Sequence, residues 1–432
     1  MDTSKIAVAL KNRTPEQLIA HMRTPLYRNG YALMISAAIT SGLGFVYWML
    51  ATRLYTPELV GLNSAVISAM FFVAGVAQLS LVSVMTRFIP RAGRATGRLV
   101  GVAYLLTLSV AACVSLIFVW GLDIWSPALA FLGASPLFTA WFAAATMMWC
   151  LFVLQDSVLT GLKQTLWIPV ENAIFAVAKI VLLVLFATPF ASYGIFASWT
   201  IPGLVVVLPI SALIFWRLIP HHAHSTAAQA EPIAPPQIAR YAASNYLGSM
   251  LSLAVTTLLP LIVVHRLGAS ANAYFAQPWL IASALQMVAG NMALSLTVEA
   301  VTDRTSLKTY TRRALVHTMR LLVPMVLVIL MGAPYLLQIF GPDYAAEGSD
   351  LLRLLAIGTL PNVINMLYLS VVRVQDRIVA IVLLQGALCV LTLGLSHFLI
   401  PIYGITGVGF AWVASQTLVA MSVTISNLRS FR

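Results

Sequence analysis

Twelve uninterrupted apolar stretches restrict what this 432-residue chain can fold into. They fall at 30–52, 60–86, 99–121, 137–159, 169–188, 194–216, 241–264, 273–298, 314–334, 351–371, 378–400 and 404–427. Crossing a bilayer takes about 20 residues of helix, so each is long enough or nearly so. The runs are continuous rather than alternating, which points to helices and not to a barrel. Hydrophobic residues make up 60% of the chain and charged residues 9%, with mean hydropathy +0.92, outside the range of soluble domains. The expected class is an all-α integral membrane protein.

The chain reads as two copies of one plan. Arg53-Leu54 closes the first stretch and Arg266-Leu267 the seventh, 213 residues later. Tyr193-Gly194-Ile195 opens the sixth and Tyr403-Gly404-Ile405 the twelfth, 210 residues later. Six spans per half is an even number, so both halves enter the membrane in the same sense. Such parallel repeats meet at an axis along the membrane normal, and transporters place substrate at the interface between repeats. The expected organisation is a polar segment over 1–29, a first six-helix lobe over 30–217, a linker over 218–239 and a second lobe over 240–432.

The net charge of +12 raises the question of nucleic acid, and the distribution of charge answers it. With the N-terminus placed in the cytoplasm, 20 of the 25 Lys and Arg fall in inner segments. Only Arg53 and Arg266 fall in outer loops, and Lys179, Arg320 and Arg353 fall within spans. This bias sets orientation, with both termini cytoplasmic, and it favours anionic membrane lipid rather than nucleic acid as the contact of the basic residues. Thr14-Pro15-Glu16-Gln17 carries a helix-start signature, so a short interfacial helix is expected before the first span. Because that segment is polar, the first span is expected to act as an uncleaved anchor.

Residues 217–240 contain Pro220, Pro232, Pro235 and Pro236 with little to bury, which predicts a mobile linker. His221, His222 and His224 sit there without a cysteine or acidic cluster, so they are expected to be solvated rather than metal-bound. Cys113, Cys150 and Cys389 all lie in spans and form no disulfide or metal pattern. No phosphate-binding loop, zinc signature or nucleophile elbow is present, and the longest outer loops, 122–136 and 335–350, are short. No cofactor, metal or catalytic residue is expected. Short loops weigh against a polymerase or ligase, although an active site sunk between helices stays open.

Charges at membrane depth cost about 2.5–3.5 kcal/mol each on insertion scales, so they face a bundle interior or an aqueous cavity. Lys179 lies about 15 Å into span five, near the bilayer middle. Two roles follow for it: a cavity cation for an anionic substrate, or the partner of Asp156 or Glu171 in a buried ion pair. Arg320 is inside span nine, and Arg353 is near the outer end of span ten, within snorkelling reach of the interface. Prolines also interrupt spans six to ten, as in transporters with broken helices.

Leu26-Tyr27-Arg28-Asn29-Gly30-Tyr31-Ala32-Leu33, at the entry to span one, resembles the Wzx-like polysaccharide and O-antigen flippases. So do Arg53-Leu54-Tyr55-Thr56-Pro57-Glu58-Leu59-Val60-Gly61, Arg87-Phe88-Ile89-Pro90 and Ile339-Phe340-Gly341-Pro342-Asp343-Tyr344. Those proteins belong to the multidrug/oligosaccharidyl-lipid/polysaccharide (MOP) exporter superfamily, and the resemblance runs from about residue 25 to 428. It implies two six-helix lobes alternating between inward-open and outward-open states. It also implies a polyprenyl-pyrophosphate-linked oligosaccharide as cargo, moved from the inner to the outer leaflet of the bacterial inner membrane. By the same resemblance, cavity cations hold the pyrophosphate; the available ones are Arg53, Lys179, Arg266 and Arg320. Asp156, Glu171 and Arg353 remain as ion-pair or coupling residues. Polysaccharide polymerase and chain-length proteins would be its partners in making lipopolysaccharide O-antigen. Span one has no central arginine, unlike lipid II flippases, and spans seven, eleven and twelve lack the acidic residues of related antiporters. A MATE-type drug/cation antiporter and a membrane polymerase or ligase stay as alternatives.

Overall fold

A computed structural model describes residues 25–227, 234–302, 307–375 and 377–429. The first half comprises α1 (Pro25–Leu54), α2 (Pro57–Ala77), α3 (Leu81–Ala92), α4 (Thr96–Trp120), the single turn α5 (Leu122–Trp125), α6 (Pro136–Gly161), α7 (Trp167–Phe186), α8 (Gly194–Leu213) and α9 (Ile219–Ser225). The second comprises α10 (Pro235–Leu267), α11 (Ala269–Thr302), α12 (Leu307–Gln338), α13 (Pro342–Val374), α14 (Ile378–Tyr403) and α15 (Thr406–Arg429). No strand occurs among the described residues. Beginning with α2, eleven helical stretches are long and apolar enough to cross a membrane, and α1 occupies the place of the first expected span.

The two repeated motifs land at equivalent places. Arg53-Leu54 ends α1 and Arg266-Leu267 ends α10; Tyr193-Gly194 opens α8 and Tyr403-Gly404 precedes α15. In the first half α7 packs on α1 and α8, while α6 packs on α3, α4 and α8. In the second half α13 is the hub, touching α11, α12 and α15, with α14 against α10 and α15. The halves join along α2, which packs against α10 and α11.

Three details depart from the sequence expectation. The second expected span, 60–86, is broken: α2 stops at Ala77, and Leu79 and Ser80 adopt left-handed backbone (φ 47° and 58°) before α3 begins. The linker is shorter than 218–239, because helix continues through a π-turn at Ile214–Leu218 to Ser225 and resumes at Pro235. His222 is buried there rather than solvated, its Nε2 3.1 Å from the Ile89 carbonyl oxygen, so this bond to α3, with α9 packed on the 93–95 turn and α4, holds the segment down. The helix expected from Thr14 begins outside the described residues.

Successive helices reverse direction, so the α3–α4, α6–α7, α8–α10 and α13–α14 connections share one end of the bundle. That end carries Arg87, Arg91, Arg94, Lys163, Arg217 and Arg373 and is termed the basic end. At the far end the halves are bolted together. Arg53 Nη2 donates to the Gln338 and Ile339 carbonyls at 3.0 and 2.9 Å, placing a cation on the C-terminal carbonyls of α12. Asn272 Nδ2 donates to the Gly61 carbonyl at 2.8 Å. A Cβ at Gly61 would lie 1.7 Å from the Ala269 carbonyl oxygen, so only glycine permits this approach of α2 to α11.

Candidate functional site

A cavity of about 770 Å³ opens in the second half, with Ser83 of α3 also on its wall, and extends toward the basic end. Its wall is built from polar stripes at helical spacing. On α13 the stripe is Asn362, Asn365 and Arg373, with the apolar Leu369 between the last two; on α10 it is Ser249, Ser252 and Thr256. Gln286 enters from α11, Gln385 from α14 and Gln416 from α15. Asn365 Nδ2 donates to the Gln416 side-chain and backbone oxygens at 2.8 and 3.0 Å, tying α13 to α15. Arg373 is the sole formally charged residue lining the cavity among the described residues.

Several of these polar atoms lack partners. Gln286 Nε2, Asn362 Nδ2, Asn365 Oδ1 and Trp412 Nε1 are buried and make no hydrogen bond in the structure. A buried donor or acceptor left unmade costs about 1–3 kcal/mol, so four on one wall call for water or for a ligand rich in hydroxyls. The chemistry of the wall is neutral, with both donors and acceptors.

The first half handles charge differently. Lys179 on α7 is only 4% exposed, and its Nζ sits 4.3 Å from the Trp199 ring centroid, 4.9 Å from Tyr47 and 5.2 Å from Phe175. Three ring faces make an aromatic cage, and a desolvated cation–π contact is worth about 2 kcal/mol. The cage is itself fixed. Tyr47 Oη donates to the Ile195 carbonyl at 3.0 Å and lies 2.8 Å from Ser198 Oγ. Trp199 packs on Trp149, which stacks on Phe71 at 4.6 Å and on Phe152 at 5.4 Å. Among the described residues no carboxylate lies within salt-bridge distance of Lys179, so the structure does not form the ion pair with Asp156 or Glu171.

Those two carboxylates form a separate cluster nearer the basic end. Glu171 precedes Lys179 by two turns, roughly 12 Å along α7. It is fully buried with neither oxygen partnered, and Asp156 Oδ1 is likewise unpartnered. Asp156 hydrogen-bonds Asn172, and Tyr104 and Gln155 stand beside them. Gln155 Nε2 donates to Val207 O and Ser211 Oγ at 2.8 and 2.7 Å, which leaves its Oε1 unpartnered as well. The pocket thus collects oxygen acceptors that only a proton, a small cation or water can satisfy.

The four cations expected to hold pyrophosphate do not come together in this conformation. Arg53 caps α12 at the far end, and Arg266 Nη2 meets His397 Nε2 at 2.7 Å. Arg320 lies exposed on α12, and Lys179 is enclosed in its cage. Arg353 pairs with Asp350 at 2.8 Å and donates to the Leu330 carbonyl at 3.1 Å, a local arrangement near the end of α12. None of the five lines the large cavity; Arg373 does, although its sequence position marked it only as an inner-loop charge. The spacing of Asn362, Asn365, Leu369 and Arg373 on one helical face was the signal that could have found it.

No protein-family profile matches the chain, and no curated protein matches its sequence. Solved structures do. An inward-facing multidrug resistance MATE transporter of the MOP superfamily superposes with TM-score 0.69 at 16% identity, covering 89% of this chain and 95% of that one. An outward-facing structure with the same description gives TM-score 0.60 at 15% identity, covering 94% and 96%. A mutant of the Vibrio cholerae MATE transporter VcmN gives 0.59 at 14%, covering 94% and 96%. The fold is that of the MATE transporters. At such identities the similarity speaks for architecture, and the cargo must be argued from the cavity.

Proposed function

We propose that this chain is a flippase for a lipid-linked oligosaccharide, carrying a polyprenyl-pyrophosphate-linked glycan from the inner to the outer leaflet of a bacterial cytoplasmic membrane. The observation that carries the proposal is the composition of the 770 Å³ cavity. Among the described residues, amides and hydroxyls line it with one guanidinium and no carboxylate, and four of its polar atoms await partners. Sugar hydroxyls donate and accept in equal measure and suit such a wall. A lipophilic cation would call for a carboxylate there, and among the described residues the buried carboxylates, Asp156 and Glu171, lie in the first half.

In this reading the basic end is cytoplasmic. Arg53 and Asn272 hold the far end shut, so the cavity loads from inside. Arg373 receives the anionic group near the entrance, and Lys179, whose ammonium lacks any hydrogen-bond acceptor among the described residues, is its contact in the first half. No covalent chemistry is required. An inside-negative potential favours outward movement of the two charges of a pyrophosphate by about 2.3 kcal/mol per charge per 100 mV. Glycan polymerase and chain-length proteins would take the product on the outer side.

One observation favours a second reading, a MATE-type drug antiporter. The unpartnered Asp156 and Glu171 oxygens offer a place for a proton or cation to be carried in exchange. Reconstitution in liposomes separates the two. Movement of fluorescent lipid-linked oligosaccharide to the outer leaflet, with no efflux of a cationic dye, supports the flippase. Dye efflux driven by a cation gradient without lipid movement overturns it, and a change in the mass of the glycan would mean an enzyme.

A further inference from the structure

We propose that the basic end of the first half carries a binding site for the phosphate headgroup of an anionic membrane lipid, seated between the α6–α7 turn and the π-turn that ends α8. Two adjoining cavities of about 230 and 350 Å³ lie there, sharing Gln164, Leu218 and His221. Lys163 lines one and Arg217 the other, and among the described residues no Asp or Glu lines either. Neither cation has a hydrogen-bond or ion-pair partner among the described residues. The site lies outside the cargo cavity and holds whatever the cargo proves to be.

The backbone supplies an independent reason to take these cavities as built. Each cation is presented by a local irregularity. The end of α6 is closed by Lys163 N–H donating to Thr160 O at 3.0 Å and Gln164 N–H donating to Leu159 O at 2.8 Å. That is the helix-terminating pattern whose left-handed residue is usually glycine. Here the position is Lys163, with φ 59°, a strain that glycine would avoid. Arg217 sits in the π-turn Ile214–Leu218, where the Ile219 N–H donates to the Ile214 carbonyl. An extra residue in one turn is unfavourable for a helix and recurs at functional sites. Two unrelated departures from ideal backbone thus place cations on two adjoining cavities.

Lipid, rather than a free anion, follows from the surroundings. Trp167 lines the second cavity and is 38% exposed, with Leu166 beside it 45% exposed and Trp216 83% exposed. Exposed tryptophans at the end of membrane helices mark the headgroup level, where basic pockets between helices take anionic lipid. A guanidinium adds paired donors that match phosphate oxygens.

The test uses the full chain in detergent, titrated with phosphatidylglycerol, phosphatidylcholine or sodium pyrophosphate and read by native mass spectrometry. Phosphatidylglycerol is expected to bind at least tenfold more tightly than phosphatidylcholine, and equimolar pyrophosphate should not displace it. Lys163→Gly should lower that preference severalfold without lowering the melting temperature, because glycine accepts the left-handed backbone. Lys163→Gly/Arg217→Gln should abolish the preference. A preference unchanged in the double variant overturns the site. Displacement by pyrophosphate overturns the lipid assignment in favour of a free anion, and an equal loss of both lipids would show a nonspecific surface.

Discussion

The two halves share a helix plan and dispose of their polar groups in opposite ways. The first half buries charge: Lys179 among three rings, and Asp156 and Glu171 in a cluster of unpartnered oxygens. Its interior there is filled by Trp149, Trp199, Phe71, Phe152 and Phe175. The second half leaves a large cavity and lines it with neutral amides and hydroxyls, and the one charge on that wall among the described residues, Arg373, lies near the basic end. A repeated helix plan therefore does not mean repeated chemistry. One half holds fixed charge in a packed interior, and the other offers room and hydrogen bonds to a guest.

The largest effect expected from breaking this contrast is at Lys179. Lys179→Met keeps the length and apolar stem but removes the charge, and flipping in liposomes should fall at least a hundredfold with normal membrane insertion. Neither Glu171→Gln nor Asp156→Asn added to Lys179→Ala should restore it, because neither carboxylate is within ion-pair distance of Lys179. Near-normal flipping in either double variant would make the cage purely structural.

The seam between the halves comes next. Gly61→Ala would press a methyl group against the Ala269 carbonyl. Overpacking of this kind costs about 1–3 kcal/mol, and a lowered melting temperature by light scattering or fluorescence is the readout. An unchanged melting temperature would show that α2 and α11 slide apart freely.

A smaller effect sharpens the role of the cavity. Gln286→Leu removes a donor that bonds to nothing in the protein, so stability should hold or rise while apparent affinity for the glycan drops about tenfold, roughly 1.4 kcal/mol. Loss of stability with unchanged affinity would remove the cavity from cargo binding. The smallest effect is at the far end of the second half. Asp350→Asn breaks the exposed pair with Arg353, and exposed pairs are worth about 0.2–1 kcal/mol, so melting and flipping should both stay near the unsubstituted protein.

What the chain declares without its fold is whatever depends on local hydrophobicity and sequence order. Long apolar runs must become helices in lipid, since every backbone N–H and C=O needs a partner within its own segment. The helix positions and the matched places of Arg53-Leu54 with Arg266-Leu267 were therefore legible. The break at Leu79 and Ser80 was not, because it interrupts an apolar run and leaves no mark in hydropathy. Burial of His222 likewise came from α9 meeting α3, which no linker composition announces.

The site was legible only as an inventory of costly charges at membrane depth. Their partners are chosen by distance across helices, and distance is a tertiary quantity. Lys179 found Tyr47, Phe175 and Trp199 from three different helices in place of a carboxylate. Arg53 found the end of α12, 285 residues away in sequence. The amides of the cavity stand out little in the sequence because neutral side chains cost less than charges in a membrane helix. Only the convergence of α10, α11, α13, α14 and α15 made them one wall, since unpartnered hydrogen-bonding groups become meaningful when burial removes the water that would otherwise satisfy them.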